Sequence, residues 1–192
     1  SPTWELAVQQ SLRKTTSESI MKFIVKNYPV KAIAMFEYTI KNSRWSLFKW
    51  TWENARIRKY NLDDLHNLFW LACRSGHSKM VLCLLTKVVR SEDTHRRTPS
   101  GVMLEGFHQL VPHRYWALAD NVFDVYLLGD HVQQGFNSIL ITLCVAKDFH
   151  YFSKFLEQIN PRTESITSPS FYELHNVLKS NDPKFMIDVG HE

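Results

Sequence analysis

Apolar residues recur at helical spacing in short runs along this chain, and that pattern limits its possible folds more than any other feature. Leu65, Leu68, Phe69 and Ala72 follow the i, i+3, i+4, i+7 spacing of a helix that is buried along one face. Strict two-residue alternation, which marks a half-buried strand, is sustained nowhere. The prolines lie between the apolar runs, where a proline ends a helix without interrupting another. The sequence therefore predicts an all-α fold.

Short helices in direct succession determine the expected architecture. We predict about eleven of them from the apolar stripes and the helix boundaries, over residues 3–13, 17–27, 29–41, 44–59, 62–75, 78–89, 101–110, 113–128, 132–147, 149–159 and 169–179. Each is too short to be stable alone, so neighbouring helices must pair as hairpins to bury their apolar sides. The expected fold is one domain, residues 1–192, of stacked antiparallel helical hairpins. The start at Ser1 without methionine indicates a piece of a longer protein.

One segment has the residue order of a known helical repeat. Residues 67–85 run Asn-Leu-Phe-Trp-Leu-Ala-Cys-Arg-Ser-Gly-His into Ser-Lys-Met-Val-Leu-Cys-Leu-Leu. Ala72 is small where two helices would approach closely, and Gly76 can adopt the left-handed conformation that ends a first helix. Residues 143–156 align with part of this segment without gaps, as a second copy. The chain resembles the ankyrin repeat, most clearly at residues 65–86, and in the divergent form seen in bacterial effectors and large DNA viruses.

The ankyrin resemblance implies an α-solenoid that binds another protein and catalyses no reaction. Ankyrin arrays make their contacts through the turns and the surfaces of the first helices. Carried over to this chain, the partner-binding residues are Trp70, Arg74, His77, Lys79, Arg96, Arg97 and His108. The resemblance also implies an effector domain that binds a host protein, in the host cytoplasm after secretion. A helical-hairpin solenoid of another family fits the same periodicity.

Charge is divided unevenly along the chain. Residues 1–97 hold 17 Lys and Arg against 8 Asp and Glu, whereas residues 98–192 hold 6 against 11. One interpretation is chance variation among solvated faces. The other is a basic surface that attracts its partner electrostatically. In that case the expected partner is a protein with an acidic surface.

The Trp-rich segment 44–59 supports an alternative function. Trp45, Phe48 and Trp52 share one helical stripe, so the segment is either a core helix or an exposed patch. Interleaved basic and aromatic side chains suit binding to nucleic acid or to anionic lipid headgroups at a membrane surface. The alternative basic patch consists of Arg44, Trp45, Lys49, Arg56, Arg58 and Lys59.

The usual motifs of catalysis and cofactor binding are missing from the sequence. It contains no G-x-G-x-x-G or Walker A loop, no CxxC, no HExxH and no G-x-S-x-G. Cys73 and Cys144 stand beside leucines on apolar faces, where cysteine packs as a small hydrophobic residue. We therefore expect no catalytic residue, no metal site and no cofactor. Three widely separated cysteines fit a reducing cytoplasm, and no apolar run is long enough to be a transmembrane segment.

Overall fold

Helices make up 89% of the residues that the structure describes, and none of those residues lies in a strand. The structure is a computed structural model, and it describes residues 18–27, 32–55, 61–92, 100–128 and 135–159. The all-α prediction is confirmed for this part of the chain. Its helices are α1 Glu18–Asn27, α2 Ala32–Lys41, α3 Trp45–Asn54, α4 Leu62–Ser75, α5 Ser78–Glu92, α6 Ser100–Leu110, α7 Trp116–Tyr126, α8 Phe136–Ala146 and α9 Phe149–Ile159. A 3₁₀ turn, Val111–His113, follows α6.

The chain divides into two compact units, and the first is Ser1–Val88. Within it α2 packs against α3 and α4, and α1 packs against α2 and α3. Phe36 of α2 and Phe48 of α3 are almost fully buried, with ring centroids 5.2 Å apart in an edge-to-face arrangement. Edge-to-face aromatic pairs stabilise a core beyond the area they bury. This pair fixes α3, which carries the Trp-rich segment, against α2.

The second unit is Val89–Glu192, in which α6 packs against α7 and α8, and α8 packs against α9. Three buried rings, Phe107, Phe123 and Phe155, come from α6, α7 and α9. The centroid of Phe155 lies 4.6 Å from that of Phe123 and 5.3 Å from that of Phe107, both edge to face. One phenylalanine of α9 therefore ties this helix to the α6–α7 pair.

The turn between α4 and α5 has the geometry that its sequence predicts. Gly76 follows α4 with φ 69° and ψ 15°, in the left-handed region. Its N–H donates to the carbonyls of Ala72 at 3.0 Å and Cys73 at 3.2 Å, which satisfies carbonyls at the helix end. Ala72 has no exposed surface. The left-handed Gly76 and the buried Ala72 are therefore confirmed.

The Trp-rich helix is shorter than its sequence suggests. The prediction extends it over residues 44–59, but α3 ends at Asn54 because Ala55 has an extended backbone, with φ −77° and ψ 129°. The helices predicted at residues 3–13 and 169–179 lie outside the described residues.

The prediction of a helix over residues 113–128 is wrong at its start. The chain first makes the 3₁₀ turn Val111–His113, and Arg114 then takes a left-handed conformation with φ 59° and ψ 34°. A left-handed residue cannot continue a right-handed helix. Helix α7 therefore begins at Trp116.

Candidate functional site

An open groove of about 420 Å³ lies in the first unit, where the start of α3 meets the α4–α5 turn. Its lining residues are Trp45, Gly76, His77, Ser78 and Lys79. The left-handed Gly76 reverses the chain between the two helices, and this reversal places His77 and Lys79 together. The groove combines two of the residues implied by the ankyrin resemblance with one residue of the alternative basic patch. We call it the Trp45 groove.

Two rings stack against Trp45. Its centroid lies 5.7 Å from that of Phe48, with the planes 20° apart, and 6.0 Å from that of His77, with the planes 21° apart. Phe48 is fully buried, while Trp45 and His77 are half-buried. The indole is therefore fixed in orientation by the core and still partly exposed.

His77 has a structural part in this turn. Its carbonyl accepts from the N–H groups of Met80 and Val81, each at 3.0 Å, and its own N–H donates to Ser75 Oγ at 3.4 Å. The ring nitrogen Nδ1 is buried and has no hydrogen-bond partner among the described residues. The ring therefore acts here by stacking on Trp45.

Lys79 supplies the charge of the groove. It is exposed, and its Nζ lies 5.9 Å from the centre of the Trp45 ring, within the range of a cation–π contact. Among the described residues, those that line the groove include no Asp or Glu. The groove therefore presents an aromatic face beside a positive charge.

Trp70 and Arg74, which the resemblance also implies, are not among the described residues that line this groove. Trp70 is half-buried, with its centroid 6.1 Å from that of His66, and Arg74 is exposed on α4. Arg96 and Arg97 lie outside the described residues.

His108 belongs to the second unit, where it joins α6 to α8. The Thr142 hydroxyl donates its proton to the Ser138 carbonyl at 2.8 Å. Because that proton is used, Thr142 Oγ1 is the acceptor in its 2.7 Å hydrogen bond with His108 Nδ1. His108 Nε2 then accepts from Ser138 Oγ at 2.9 Å. Burial lowers the pKa of His108, and the charge of Glu105 opposes this effect in part. Both ring nitrogens are thus engaged within the protein.

The alternative basic patch is only partly free to meet a ligand. Arg44 pairs with Glu18, with 2.7 Å between Nη2 and Oε1, whereas Lys49 is exposed and 3.9 Å from Glu53. The Trp52 ring lies 6.0 Å from Phe36 and is half-buried. The other three members of the patch, Arg56, Arg58 and Lys59, lie outside the described residues.

The three cysteines lack the properties of a thiol nucleophile. Burial raises the pKa of Cys73 far above its usual value, that of Cys83 to about 11 and that of Cys144 to about 12. A nucleophile must be a thiolate at neutral pH, and these thiols stay protonated there. In the described ranges no group of three His, Cys, Asp or Glu side chains could hold a metal ion.

The second unit has an aromatic and basic surface that the sequence patterns did not predict. Its residues come from segments 113–116, which read His-Arg-Tyr-Trp, and 147–154, which read Lys-Asp-Phe-His-Tyr-Phe-Ser-Lys. The stacked rings of Trp116 and Tyr151, with centroids 4.0 Å apart, bring the two segments together. The sequence pattern that could have predicted this surface is the grouping of basic and aromatic residues in two short segments of an otherwise acidic region.

The chain matches no protein-family model, and comparison with curated proteins and with solved structures also finds no match. Among the helices of the described residues, none has the length and apolar character needed to cross a membrane.

Proposed function

We propose that the chain is a non-enzymatic protein-interaction module that holds an acidic segment of another protein in the Trp45 groove. The observation that carries this proposal is the composition of the groove: a half-exposed tryptophan stacked on neighbouring rings lies beside an exposed lysine, and no Asp or Glu lines the groove in the part of the chain that the structure describes. Tryptophan is one of the residue types that most often dominate the energy of an interface. Lys79 provides the complement to a carboxylate of the partner.

The stacking of Trp45 favours binding because it lowers the entropic cost. Ordering a free side chain at an interface costs about 0.5–1.5 kcal/mol. Phe48 and His77 already stack against the indole in the free protein. Less of this cost therefore remains to be met when a partner docks.

The charge of the whole first unit supports an acidic partner. Residues 1–88 contain 14 Lys and Arg against 6 Asp and Glu. An excess of one sign raises the local concentration of an oppositely charged partner and speeds encounter. The unit as a whole thus attracts the same class of partner as Lys79.

The ankyrin resemblance supports the same location on the chain. Ankyrin arrays bind through their turns, and the Trp45 groove is built on the α4–α5 turn at Gly76. The proposal therefore includes an ankyrin-like α-solenoid with this turn on its binding face. It also includes the implied class of partner, a host protein met by an effector in the host cytoplasm.

The proposal is tested with a random peptide display library selected on the full chain. We expect the enriched peptides to carry Asp or Glu beside an apolar anchor. Lys79→Glu should weaken their binding at least about tenfold, because a direct contact between Lys79 and a carboxylate of the peptide is replaced by repulsion. The measurement is the Kd of synthetic peptides by fluorescence anisotropy.

Lys26→Glu is the matched control, because Lys26 is exposed in the same unit and lies on α1, outside the groove. It makes the same change in net charge and should alter Kd by less than about threefold, as expected for a screened surface charge. The proposal is wrong if the enriched peptides are basic. It is also wrong if Lys79→Glu and Lys26→Glu have equal effects.

A further inference from the structure

The aromatic and basic surface of the second unit lies at one end of α7, α8 and α9. The Arg114 guanidinium donates to the Ala146 carbonyl at 3.4 Å, next to Lys147. The Trp116 ring stacks on Tyr151 at 4.0 Å, with the planes 12° apart. We call this the α7–α9 surface, formed by His113, Arg114, Trp116, Lys147, Tyr151 and Lys154.

Positive charge is concentrated on this surface although the region around it is acidic. Arg114, Lys147 and Lys154 are the only Lys and Arg between residues 98 and 161. Two carboxylates lie nearby: Asp120 pairs with Lys154 at 2.7 Å and offsets its charge, and Asp148 accepts from the Tyr151 N–H at 3.3 Å. Arg114 and Lys147 are exposed.

The rings of the surface are arranged in two flat pairs. In addition to the Trp116–Tyr151 stack, His113 lies on Tyr115 with centroids 5.6 Å apart and planes 28° apart. His113 is exposed, and the other three rings are half-buried. Lys154 Nζ lies 5.6 Å from the centre of the Tyr151 ring. The surface therefore holds stacked rings together with cations.

The backbone at both exposed cations is in an unfavourable conformation. Arg114 has φ 59°, and Lys147 has φ 55° and ψ 35°, where each ends a helical element. Glycine is the usual residue in this left-handed position because it has no Cβ to clash. The chain uses long cations at both sites instead. Strain that stability does not require is found most often at functional positions.

We propose that the α7–α9 surface binds single-stranded nucleic acid. Phosphates would contact Arg114 and Lys147, while unpaired bases stack on the exposed His113 and beside the Trp116–Tyr151 pair. Stacking of this kind accepts every base, because each has a π face, so binding would be largely independent of sequence. Duplex is the poorer ligand, since its bases are already stacked on each other. An acidic protein would need the cations but not the two ring pairs.

The test uses the full chain and fluorescein-labelled 12-nucleotide oligo(U) and oligo(dT), with Kd measured by anisotropy at 50 and 200 mM salt. Phosphate contacts to Arg114 and Lys147 give a slope of log Kobs against log salt of about −1.4, so affinity should fall roughly sevenfold over this range. The variant Arg114→Gly/Lys147→Gly should weaken binding at least about tenfold and bring the slope close to zero. Its Tm should be equal to that of the parent or higher, because glycine relieves the backbone strain.

Two controls separate this binding from general effects. Ser43→Gly changes the other non-glycine residue with positive φ among the described residues and removes no charge, so it should leave Kd unchanged. Lys49→Gln/Lys79→Gln removes two exposed cations from the first unit and should also leave oligonucleotide binding unchanged. The second control weakens peptide binding if the Trp45 groove acts as proposed, so the two proposals can fail independently.

Three results would overturn the proposal. The first is no binding of either oligonucleotide at 50 mM salt. The second is an unchanged Kd in Arg114→Gly/Lys147→Gly. The third is that polyglutamate binds as tightly as oligo(U) while His113→Ala alters neither affinity, because the surface would then serve an acidic protein through charge alone. If the rings take part, His113→Ala should weaken oligo(U) binding at least about threefold.

Discussion

Gly76 is the residue whose backbone conformation most directly determines the α4–α5 turn. Its φ of 69° places it where a side chain is strained. We expect Gly76→Val to lower the free energy of unfolding by more than about 1 kcal/mol, because a β-branched residue is especially unfavourable there. Urea denaturation followed by circular dichroism measures this loss.

Gly76→Asn is the control for that experiment. Asparagine tolerates the left-handed region better than other residues with a side chain, so this variant should lie between the parent and Gly76→Val. If Gly76→Val unfolds at the same urea concentration as the parent, the left-handed turn is not what ends α4.

Gly135 differs from Gly76 because space, and not φ, limits it. Its φ is −94°, but an added Cβ would meet the Tyr126 hydroxyl and lie 3.2 Å from Leu104 Cδ2. We expect Gly135→Ala to destabilise the second unit by about 1–3 kcal/mol, the usual cost of overpacking. Gly101→Ala is the matched variant, because nothing lies within 4 Å of its added Cβ.

In Gly101→Ala the lower chain entropy of alanine should raise stability by up to about 1 kcal/mol, since Gly101 is helical. Thermal unfolding of both alanine variants measures the contrast. If both variants shift Tm equally and in the same direction, the contact with Tyr126 is not what destabilises Gly135→Ala.

Single residues were predictable from sequence where they obey a local rule. Gly76 follows the rule that glycine ends helices in the left-handed conformation, so its position and conformation could both be predicted. Arg114 and Lys147 take the same conformation without being glycine. The backbone propensity of Arg and Lys disfavours this conformation, so it could not be predicted from the sequence and is evident only in the structure.

At the scale of the element, His108 connects helix packing to pH. The pKa of His108 is lower in the folded chain than the value near 6.5 that the imidazole has in the unfolded chain. His108 therefore binds a proton more readily when the chain is unfolded. Stability should therefore fall as the pH drops below about 6.5, until the folded pKa is passed. The loss arises because the protonated ring can no longer accept from Ser138 and its charge is partly buried.

This pH effect is measured as the difference in unfolding free energy between the parent and His108→Gln, at pH 7.5 and pH 5. The advantage of the parent should shrink on acidification. His150→Gln serves as the control, because His150 is exposed on α9 and its replacement should leave the pH dependence intact. An advantage of the parent that grows toward pH 5 would reverse the sign of the effect.

Helix positions were predictable more accurately than helix ends. Residues 62–75 were predicted as a helix, and α4 has those bounds, because Asn61 caps its start through a 3.3 Å bond to the Asp63 N–H and Gly76 ends it. Helix α3 has no such signal at its end, and the apolar pattern of residues 44–59 continues beyond Asn54. Tertiary packing sets the end of such a helix, and periodicity alone does not contain that information.

At the scale of the whole molecule, charge differs in sign between the two units. Residues 1–88 carry an excess of Lys and Arg, with 14 against 6 acidic residues, whereas residues 89–192 carry 9 against 13. A net count predicted the sign of each half but concealed the cations collected on the α7–α9 surface. Their clustering depends on which turns the fold brings together, as the contact between Arg114 and Ala146 shows.

The Trp45 groove could not be predicted from the sequence either, because Trp45 and His77 are distant in the chain and meet only by packing.

The charge of the first unit should act mainly on the rate of association. We expect the triple variant Arg56→Glu, Arg58→Glu and Lys59→Glu to bind an acidic peptide of the Trp45 groove with an on-rate at least about tenfold lower at 20 mM salt, since the net charge of the unit steers encounter. The off-rate should change little, because long-range charge acts on encounter more than on dissociation. In 0.5 M salt the difference should largely vanish, as the screening length falls to roughly 4 Å. Stopped-flow fluorescence measures both rates.

The matched variant Asp124→Lys, Asp130→Lys and Glu157→Lys changes the charge equally in the acidic unit and should raise the on-rate slightly or leave it unchanged. If the basic-to-acidic variant associates as fast as the parent while the acidic-to-basic variant is slowed, the partner is basic and the polarity assigned to this molecule is reversed.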